Sequence, residues 1–568
     1  MLQLETTTNS PADVAEATLF PPKPSLVAST VADTPSATQA NTVQTGEHFP
    51  ASPSDVVAAA ARLGFAIPDA HKDDYLQLLA ATDRAAAALL DEPDHFTPVN
   101  LERFPRRDVH LPDDGDNSLR GWAWKCDIKG DGDLLSGRTV VAKDTVCVAE
   151  VPLRFGTDAF TGFVPQVDAT IITRVLEHGG HFVGKAACEN FSHGASSFSS
   201  PYGPVQNPHA DGFSAGGSSS GCGALLGAGH VDLAIGGDQG GSIRIPASLC
   251  GVVGLKPTFG LVPYTGVLSS DAGSDHVGPM ARNVLDAALL LEAIAGYDSI
   301  DDRQLGAPLP SDVPKYSSLL LEGRKKGLKG VKIGLLREGF AHTSLLPSVD
   351  AAVRAAVAKF EELGATVAEV SVPLHSKAEP LCHVLNKFSS SQTRQGRQVG
   401  RRGLYLNDYF DHLLPWDEEK YARARYFVSG TAMSGEYGWS KYPTLYGRAM
   451  NISRRLRDDY DAALAEFDVL VMPTVTQPAR RHVVPDAGPL AWTKAAPGIV
   501  SNTSPFNLTG HPALTIPCGF TPPHPDDIRS AQDDSIRLPV GLMLVGKLFD
   551  ESMVLRVGDA WQQAGFEM

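Results

Sequence analysis

The chain has 568 residues, of which 43% are hydrophobic and 20% charged, a composition typical of a globular protein with a sizeable core. Its formal net charge of −16 disfavours nucleic acid and anionic membranes as partners, because both bind basic surfaces. No apolar run approaches the length of a membrane span, and the first residues lack the features of a secretory signal. The seven cysteines have no paired spacing, so we expect free thiols, no zinc site and a cytoplasmic location.

The chain divides into three parts that differ in composition and in hydrophobic periodicity. Residues 1–50 are rich in Thr, Ala, Pro and Ser without any period, which predicts a disordered tail. Residues 51–133 are interpreted as an N-terminal helical region, because apolar side chains recur with a helical period between Asp73 and Asp91. In residues 134–568, short apolar runs alternate with amphipathic segments. Buried strands are predicted there at 138–142, 181–184, 331–336, 367–372, 468–473 and 540–545.

This alternation predicts the fold class α/β, with a single large mixed, mostly parallel β-sheet covered by helices on both faces. Residues 380–450 interrupt the pattern with polar, aromatic and basic side chains, including Arg394. We interpret them as a helical insertion, either over the site or as a solvated surface excursion.

Two glycine-rich turns are the most informative feature of the chain. The first is Gly216-Gly217-Ser218-Ser219-Ser220-Gly221, and the second runs from Gly237 to Gly241 and leads into Ser242. The apolar segment between them must be buried, so the turns are not linkers. Glycine allows a backbone turn to aim several N–H groups at one point. A serine beside such donors indicates a hydrolytic site, with a nucleophile and a place for an oxyanion.

Other sites fit these residues less well. Gly217–Gly221 matches the nucleophile-elbow pattern G-x-S-x-G. However, the residues before it are turn-forming, whereas a nucleophile elbow follows a hydrophobic strand. Neither loop carries the lysine of a phosphate-binding P-loop. The 17 histidines are dispersed without metal-ligand spacing, so we expect neither a metal nor another cofactor.

The run from Gly216 to Thr258 closely resembles the amidase signature family. The family's three marks occur in order: the GGSS loop, the D-x-G-G-S-x-R-x-P segment and the C-G-x-x-G-x-K-P-T tail. The likeness extends over most of the chain from about Leu134. Within the family, the runs 234–241 and 259–266 look most similar to bacterial amidases found with nitrile hydratases.

The resemblance implies a Ser–Ser–Lys triad. It assigns the nucleophile to Ser242, the bridging serine, held by a cis peptide, to Ser218, and the base to Lys143 at the end of a strand. Lys185 also follows a strand but lacks the Lys-Asp context of the family. The oxyanion donors implied are the backbone amides of Gln239, Gly240, Gly241 and Ser242.

The expected activity is hydrolysis of small aliphatic or aromatic carboxylic amides through a seryl acyl-enzyme. Carbamates or esters remain alternative substrates, because both acylate the same serine. A second alternative is an amidotransferase A-type subunit of a multi-subunit complex, and a third is a scaffold or binding protein on the same fold. The resemblance also implies a possible homodimer, with a small-molecule amide as the only other partner.

Overall fold

The computed structural model describes residues 50–484 and 487–565. The tail predicted for residues 1–50 therefore lies outside the described residues, apart from Pro50. The chain forms two compact units, one ending at His95 and the other beginning at Phe96. In the described part of the chain, no helix combines the length and apolarity needed to cross a bilayer.

From Pro50 onward, the first unit contains the α-helices α1 (Pro53–Leu63) and α2 (Lys72–Leu90). A reciprocal cap begins α1: the Ser52 amide donates to the Asp55 carboxylate, and Pro53 occupies the first turn, where no amide is needed. Gly64 ends the helix in a left-handed conformation with φ +78°.

The second unit is built on a 12-stranded sheet of order β1-β2-β4-β3-β7-β9-β8-β13-β14-β12-β10-β11, beside a two-stranded ribbon of β5 and β6. The strands are β1 (Arg107–His110), β2 (Trp122–Lys129), β3 (Thr139–Lys143), β4 (His181–Ala186), β5 (Gln206–Asn207), β6 (Ala210–Ser214), β7 (Leu233–Asp238), β8 (Val253–Lys256), β9 (His276–Ala281), β10 (Lys332–Leu336), β11 (Thr366–Val370), β12 (Val469–Pro473), β13 (Ala513–Thr521) and β14 (Leu538–Gly546).

The helices of this unit pack around the sheet or extend from it. They are α3 (Thr170–Glu177), α4 (Ser220–Gly227), α5 (Arg244–Cys250), α6 (Val284–Ile294), α7 (Tyr316–Lys326), α8 (Pro347–Glu362), α9 (Ala378–Thr393), α10 (Asn407–Leu413), α11 (Glu418–Arg423), α12 (Arg425–Lys441), α13 (Leu445–Glu466), α14 (Pro489–Lys494), α15 (Ser504–Thr509) and α16 (Glu551–Gln563). The segment 380–450, interpreted as a helical insertion, thus contains most of α9 and the whole of α10 to α12.

Alternating side chains of the central strands enter two different cores, as expected for a sheet buried on both faces. On β3, Val140 and Ala142 pack in one core with α3, α6 and α8, whereas Val141 packs in the other with α4. The predicted mixed sheet covered on both faces is confirmed.

The expectation that the sheet is mostly parallel is wrong. Parallel pairing is confined to two blocks, β4-β3-β7 and β12-β10-β11. All other neighbours in the sheet are antiparallel. The chain passes from β8 to β9, and from β13 to β14, without an intervening α-helix, and antiparallel strands need no helical crossover.

The assignment of residues 51–133 to a helical region is also wrong at its C-terminal end. Strands β1 and β2 lie within it and form an antiparallel edge of the large sheet. Polar residues such as Lys125 and Asp127 interrupt the apolar pattern of β2, so the sequence does not predict a strand there.

Candidate active site

The strand register decides which lysine faces the glycine-rich loops. Lys143 pairs with Ala186 across the β3–β4 ladder, and Ala186 lies in the core that also contains α4. Lys185 pairs with Ala142, which lies in the opposite core. Neighbouring paired residues of a sheet point to the same face. The two lysines therefore point to opposite faces, and only Lys143 points toward the loop before α4.

Lys143 lies in a buried cluster with two serines. Its Nζ atom is 2.8 Å from Ser218 Oγ and 2.8 Å from Ser192 Oγ, and the two hydroxyl oxygens are 3.1 Å apart. The carbonyl oxygen of Gly237 lies 3.4 Å from the same nitrogen. The side chains of Lys143 and Ser218 are fully buried. Burial lowers the pKa of Lys143 from its ordinary value, which favours the neutral amine that a base requires.

The loop that carries Ser218 turns at Gly216, whose φ is +75° and whose Cβ, if present, would lie 2.9 Å from Pro246 Cα. The Gly217–Ser218 peptide bond is cis, as the family resemblance implies. Next to it, Ser219 joins the two glycine-rich loops. Its amide donates to the Ser242 carbonyl at 3.3 Å, and its hydroxyl donates to the Gly237 carbonyl at 3.0 Å.

Ser242 ends the second loop and is 9% exposed. Gly241 precedes it with φ +142°, and a Cβ there would lie 2.4 Å from Thr503 Oγ1, so only glycine fits. Thr503 Oγ1 donates to the Gly240 carbonyl at 2.6 Å. Within the described residues, the Ser242 hydroxyl has no hydrogen-bond partner.

The backbone amides of the second loop are available to a ligand. Across the described ranges, none of the N–H groups of Gln239, Gly240, Gly241 and Ser242 donates a hydrogen bond to the protein. Buried amides are normally paired, so four consecutive amides without a protein acceptor indicate a site for an anionic oxygen.

A buried ion pair between Asp238 and Arg244 stabilises the second glycine-rich loop. Arg244 donates from Nε and Nη2 to the two carboxylate oxygens of Asp238, each at 3.0 Å. Asn507 donates to the Asp238 carbonyl at 2.9 Å and to its carboxylate at 2.8 Å. Burial alone would raise the pKa of Asp238, but the charge and hydrogen bonds of Arg244 outweigh it and hold that pKa below its usual range. This bracing agrees with a structural role for both residues.

Lys185 belongs to a separate ion pair. Its Nζ lies 2.9 Å from Asp144 Oδ1, and both side chains are fully buried. It also donates to the Pro152 carbonyl at 3.4 Å. Among the described residues, no group of three or more His, Cys, Asp or Glu side chains could hold a metal ion.

Comparison with known proteins places these residues in a family. The model of the family described as Amidase matches residues 121–555, which include both glycine-rich loops, Lys143 and the Asp238–Arg244 pair. The chain belongs to the amidase family. The predicted mixed sheet covered by helices and the assignment to an enzyme that hydrolyses amides are confirmed at that level.

Two curated relatives and one solved structure illustrate the range of this amidase family. The chain is 38% identical to an enantioselective amidase of Rhodococcus rhodochrous over 80% of its own length and 85% of the relative's. It is 35% identical to the A-type subunit of glutamyl-tRNA(Gln) amidotransferase from a Cyanothece species, over 76% and 84% of the two chains. The structure of a peptide amidase from Stenotrophomonas maltophilia matches with a TM-score of 0.58, 28% identity and coverage of 76% and 83%.

One residue beside Lys143 and Ser218 was missed from the sequence. Ser192 contacts both Lys143 and Ser218, yet it lies in an irregular segment in which Phe191 and Ser192 have φ values of +50° and +56°. No motif or periodicity marks it. Its left-handed backbone conformation, which places the hydroxyl beside Lys143, is visible only in the folded chain.

Proposed function

We propose that this amidase cleaves carboxylic amides through an acyl-enzyme on Ser242, with Ser218 as proton relay and Lys143 as base. The main evidence is the 2.8 Å distance between Lys143 Nζ and Ser218 Oγ, two side chains that are both fully buried. A neutral lysine accepts a proton, and the pKa of Lys143 is lowered by burial. The unpaired amides of residues 239–242 support the same assignment.

The proton path follows from these contacts. Lys143 takes the proton of Ser218, and Ser218 takes the proton of Ser242 as Ser242 Oγ attacks the amide carbon. The Ser219–Ser242 backbone hydrogen bond holds the two loops together, which supports the approach of the Ser242 side chain to Ser218. Amides of residues 239–242 stabilise the oxyanion, and one such donor typically contributes about 3 kcal/mol.

The second half of the reaction reverses these transfers. Ser218 donates the proton taken from Ser242 to the leaving nitrogen, which departs as ammonia or an amine, and Lys143 returns its own proton to Ser218. Water then adds to the acyl-enzyme with Lys143 again accepting a proton through Ser218, and the carboxylic acid leaves Ser242 with its proton restored. The burial of Ser242 supports compact acyl groups. We therefore propose small aliphatic or aromatic amides as substrates.

Ammonia release from acetamide, propionamide and benzamide tests this proposal. We expect the purified single chain to hydrolyse at least one of them and the Ser242→Ala variant to lose that activity. Full activity in Ser242→Ala would refute the assignment of the nucleophile.

The second candidate function is that of an amidotransferase A-type subunit, and the relative in Cyanothece favours it. Such a protein works within a complex. The single-chain assay therefore separates the two, because an amidase turns over unaided whereas a component of a complex stays inactive without its partners.

We also propose that the enzyme works as a homodimer in the cytoplasm on dissolved small molecules, without nucleic acid or membrane. All seven cysteines are free thiols, which supports a reducing compartment. Light scattering coupled to gel filtration measures the oligomeric state, and a monomeric mass would contradict the dimer.

A further inference from the structure

A group of basic side chains adjoins Ser192, and within the described residues none of them pairs with a carboxylate. We call it the cationic cluster and define it by Arg394, Lys387 and His193. Arg394 follows directly after α9, is 5% exposed, and has three buried guanidinium nitrogens that find no hydrogen-bond partner in the described part of the chain. A buried, unpaired charge is costly, so such a group is normally paired or binds a ligand.

The rest of the cluster gives Arg394 no negative neighbour. Lys387 Nζ lies 3.2 Å from His193 Nε2 and 2.8 Å from Thr431 Oγ1, both neutral partners. Burial and then the Arg394 charge lower the pKa of Lys387 to about 8. Burial and then the charges of Lys387 and Arg394 lower the pKa of His193 well below its ordinary value. The cluster therefore concentrates positive charge that its own residues do not neutralise.

Aromatic groups line the inner end of the cluster. The Arg394 guanidinium lies 5.9 Å from the centroid of the Phe191 ring. The hydroxyl of Tyr409, which interacts electrostatically with Arg394, is also buried without a hydrogen-bond partner in the described ranges. A guanidinium and a phenol hydroxyl are both donors that suit a carboxylate.

Three consecutive residues connect this cluster to the proposed catalytic groups. The Phe191 ring contacts Arg394, the Ser192 hydroxyl lies 2.8 Å from Lys143 Nζ, and the His193 ring contacts Lys387. Lys387 and His193 are half-buried, and His383, which interacts with both, is exposed on the same helix as Lys387. The cluster therefore extends from the surface to His193. This residue directly follows Ser192, which is a hydrogen-bond partner of the proposed base Lys143.

We propose that the cationic cluster binds a carboxylate of the substrate, so that the preferred amides carry an acidic group. This inference rests on the proposed function. The planar fork of Arg394 suits a bidentate carboxylate, and Lys387 adds a second charge at the accessible side. The carboxylate belongs either to the acyl part or to the amine part of the amide.

Matched substrate pairs test the inference. The acyl arm compares succinamate with butyramide and glutaramate with valeramide. The amine arm compares N-acetyl-β-alanine with N-propylacetamide. We expect the acid of at least one pair to have a kcat/KM about ten- to a hundred-fold above its neutral counterpart, the range of a charge-assisted hydrogen bond.

Three variants assign that preference to the cluster. We expect Lys387→Met and Arg394→Met to lower the acid-to-neutral ratio of kcat/KM about ten-fold or more, and Arg394→Lys to lower it less. Lys441→Met, which removes an exposed lysine at the end of α12, is the matched control and should leave the ratio unchanged. If Arg394→Met fails to fold, Lys387→Met and Arg394→Lys decide the question.

Two outcomes overturn the inference while the proposed function stands. One is hydrolysis of neutral amides with no preference for the acid in either arm. The other is a preference that persists unchanged in Lys387→Met and Arg394→Lys, because the carboxylate is then recognised elsewhere. Failure of the single chain to hydrolyse any of these amides overturns the proposed function and the inference together.

Discussion

Two buried lysines on adjacent strands provide an internal control for the proposed base. Lys143→Met removes the amine that lies 2.8 Å from Ser218 Oγ, whereas Lys185→Met removes the partner of Asp144. We expect Lys143→Met to lower kcat by about 10²–10⁴-fold, which is the contribution of a positioned general base. That factor corresponds to about 3–5 kcal/mol of transition-state free energy.

The stability of the two variants should change in the opposite order. In Lys143→Met, the Ser192 and Ser218 hydroxyls, 3.1 Å apart, still bond to each other, so we expect a loss of no more than about 2 kcal/mol. In Lys185→Met, the Asp144 carboxylate stays buried without its cation, which typically costs about 3–5 kcal/mol. The folded fraction of Lys185→Met should retain turnover.

Steady-state kinetics and thermal unfolding of both variants measure these effects. The double variant Lys185→Met/Asp144→Asn should recover part of the stability lost in Lys185→Met, because it removes the unpaired buried charge of Asp144. The reasoning is refuted if folded Lys185→Met has no turnover while Lys143→Met retains it.

Four further outcomes follow from the site. For wild type, kcat/KM should rise with pH through the pKa of Lys143, since only the neutral amine accepts a proton. That rise should begin below the ordinary lysine pKa of about 10.4. A flat pH profile would contradict the assignment of Lys143 as the base. Ser192→Ala should lower kcat about ten-fold with little change in KM, whereas an unchanged kcat would show that its hydrogen bonds do not position the lysine. Gly241→Ala should abolish turnover in amide assays, because its φ of +142° and close neighbours exclude a Cβ, and normal activity would disprove the loop geometry. Asp238→Asn leaves Arg244 buried without its charge partner and should destabilise the protein by about 3–5 kcal/mol in denaturant titration; a wild-type unfolding curve would disprove the bracing role.

The sequence predicted the local parts of the site and missed its long-range parts. The two glycine-rich turns are contiguous motifs, and Gly216 and Gly241 within them have positive φ values that few other residues adopt. The choice of Lys143 over Lys185 came from family resemblance. Its physical basis is the β3–β4 register, which turns the two side chains to opposite faces. No pattern within either strand reveals that register.

Other features depend on contacts between distant segments. Ser192 reaches Lys143 from a loop of left-handed residues, and the segment carries no periodic signal. Arg394 is visible in the sequence as one of several basic residues, but its burial without a partner is a property of the packed helices. The antiparallel centre of the sheet was missed because the predicted βαβ alternation covers only the segments around β3–β4 and β10–β11.

Mass spectrometry of the enzyme quenched during turnover tests the central claim most directly. With benzamide as substrate, we predict an added benzoyl group on the peptide that contains Ser242, and its absence in Ser242→Ala, which should also release no ammonia. A benzoyl group on Ser218 instead, or continued ammonia release by folded Ser242→Ala, would contradict the proposed acyl-enzyme.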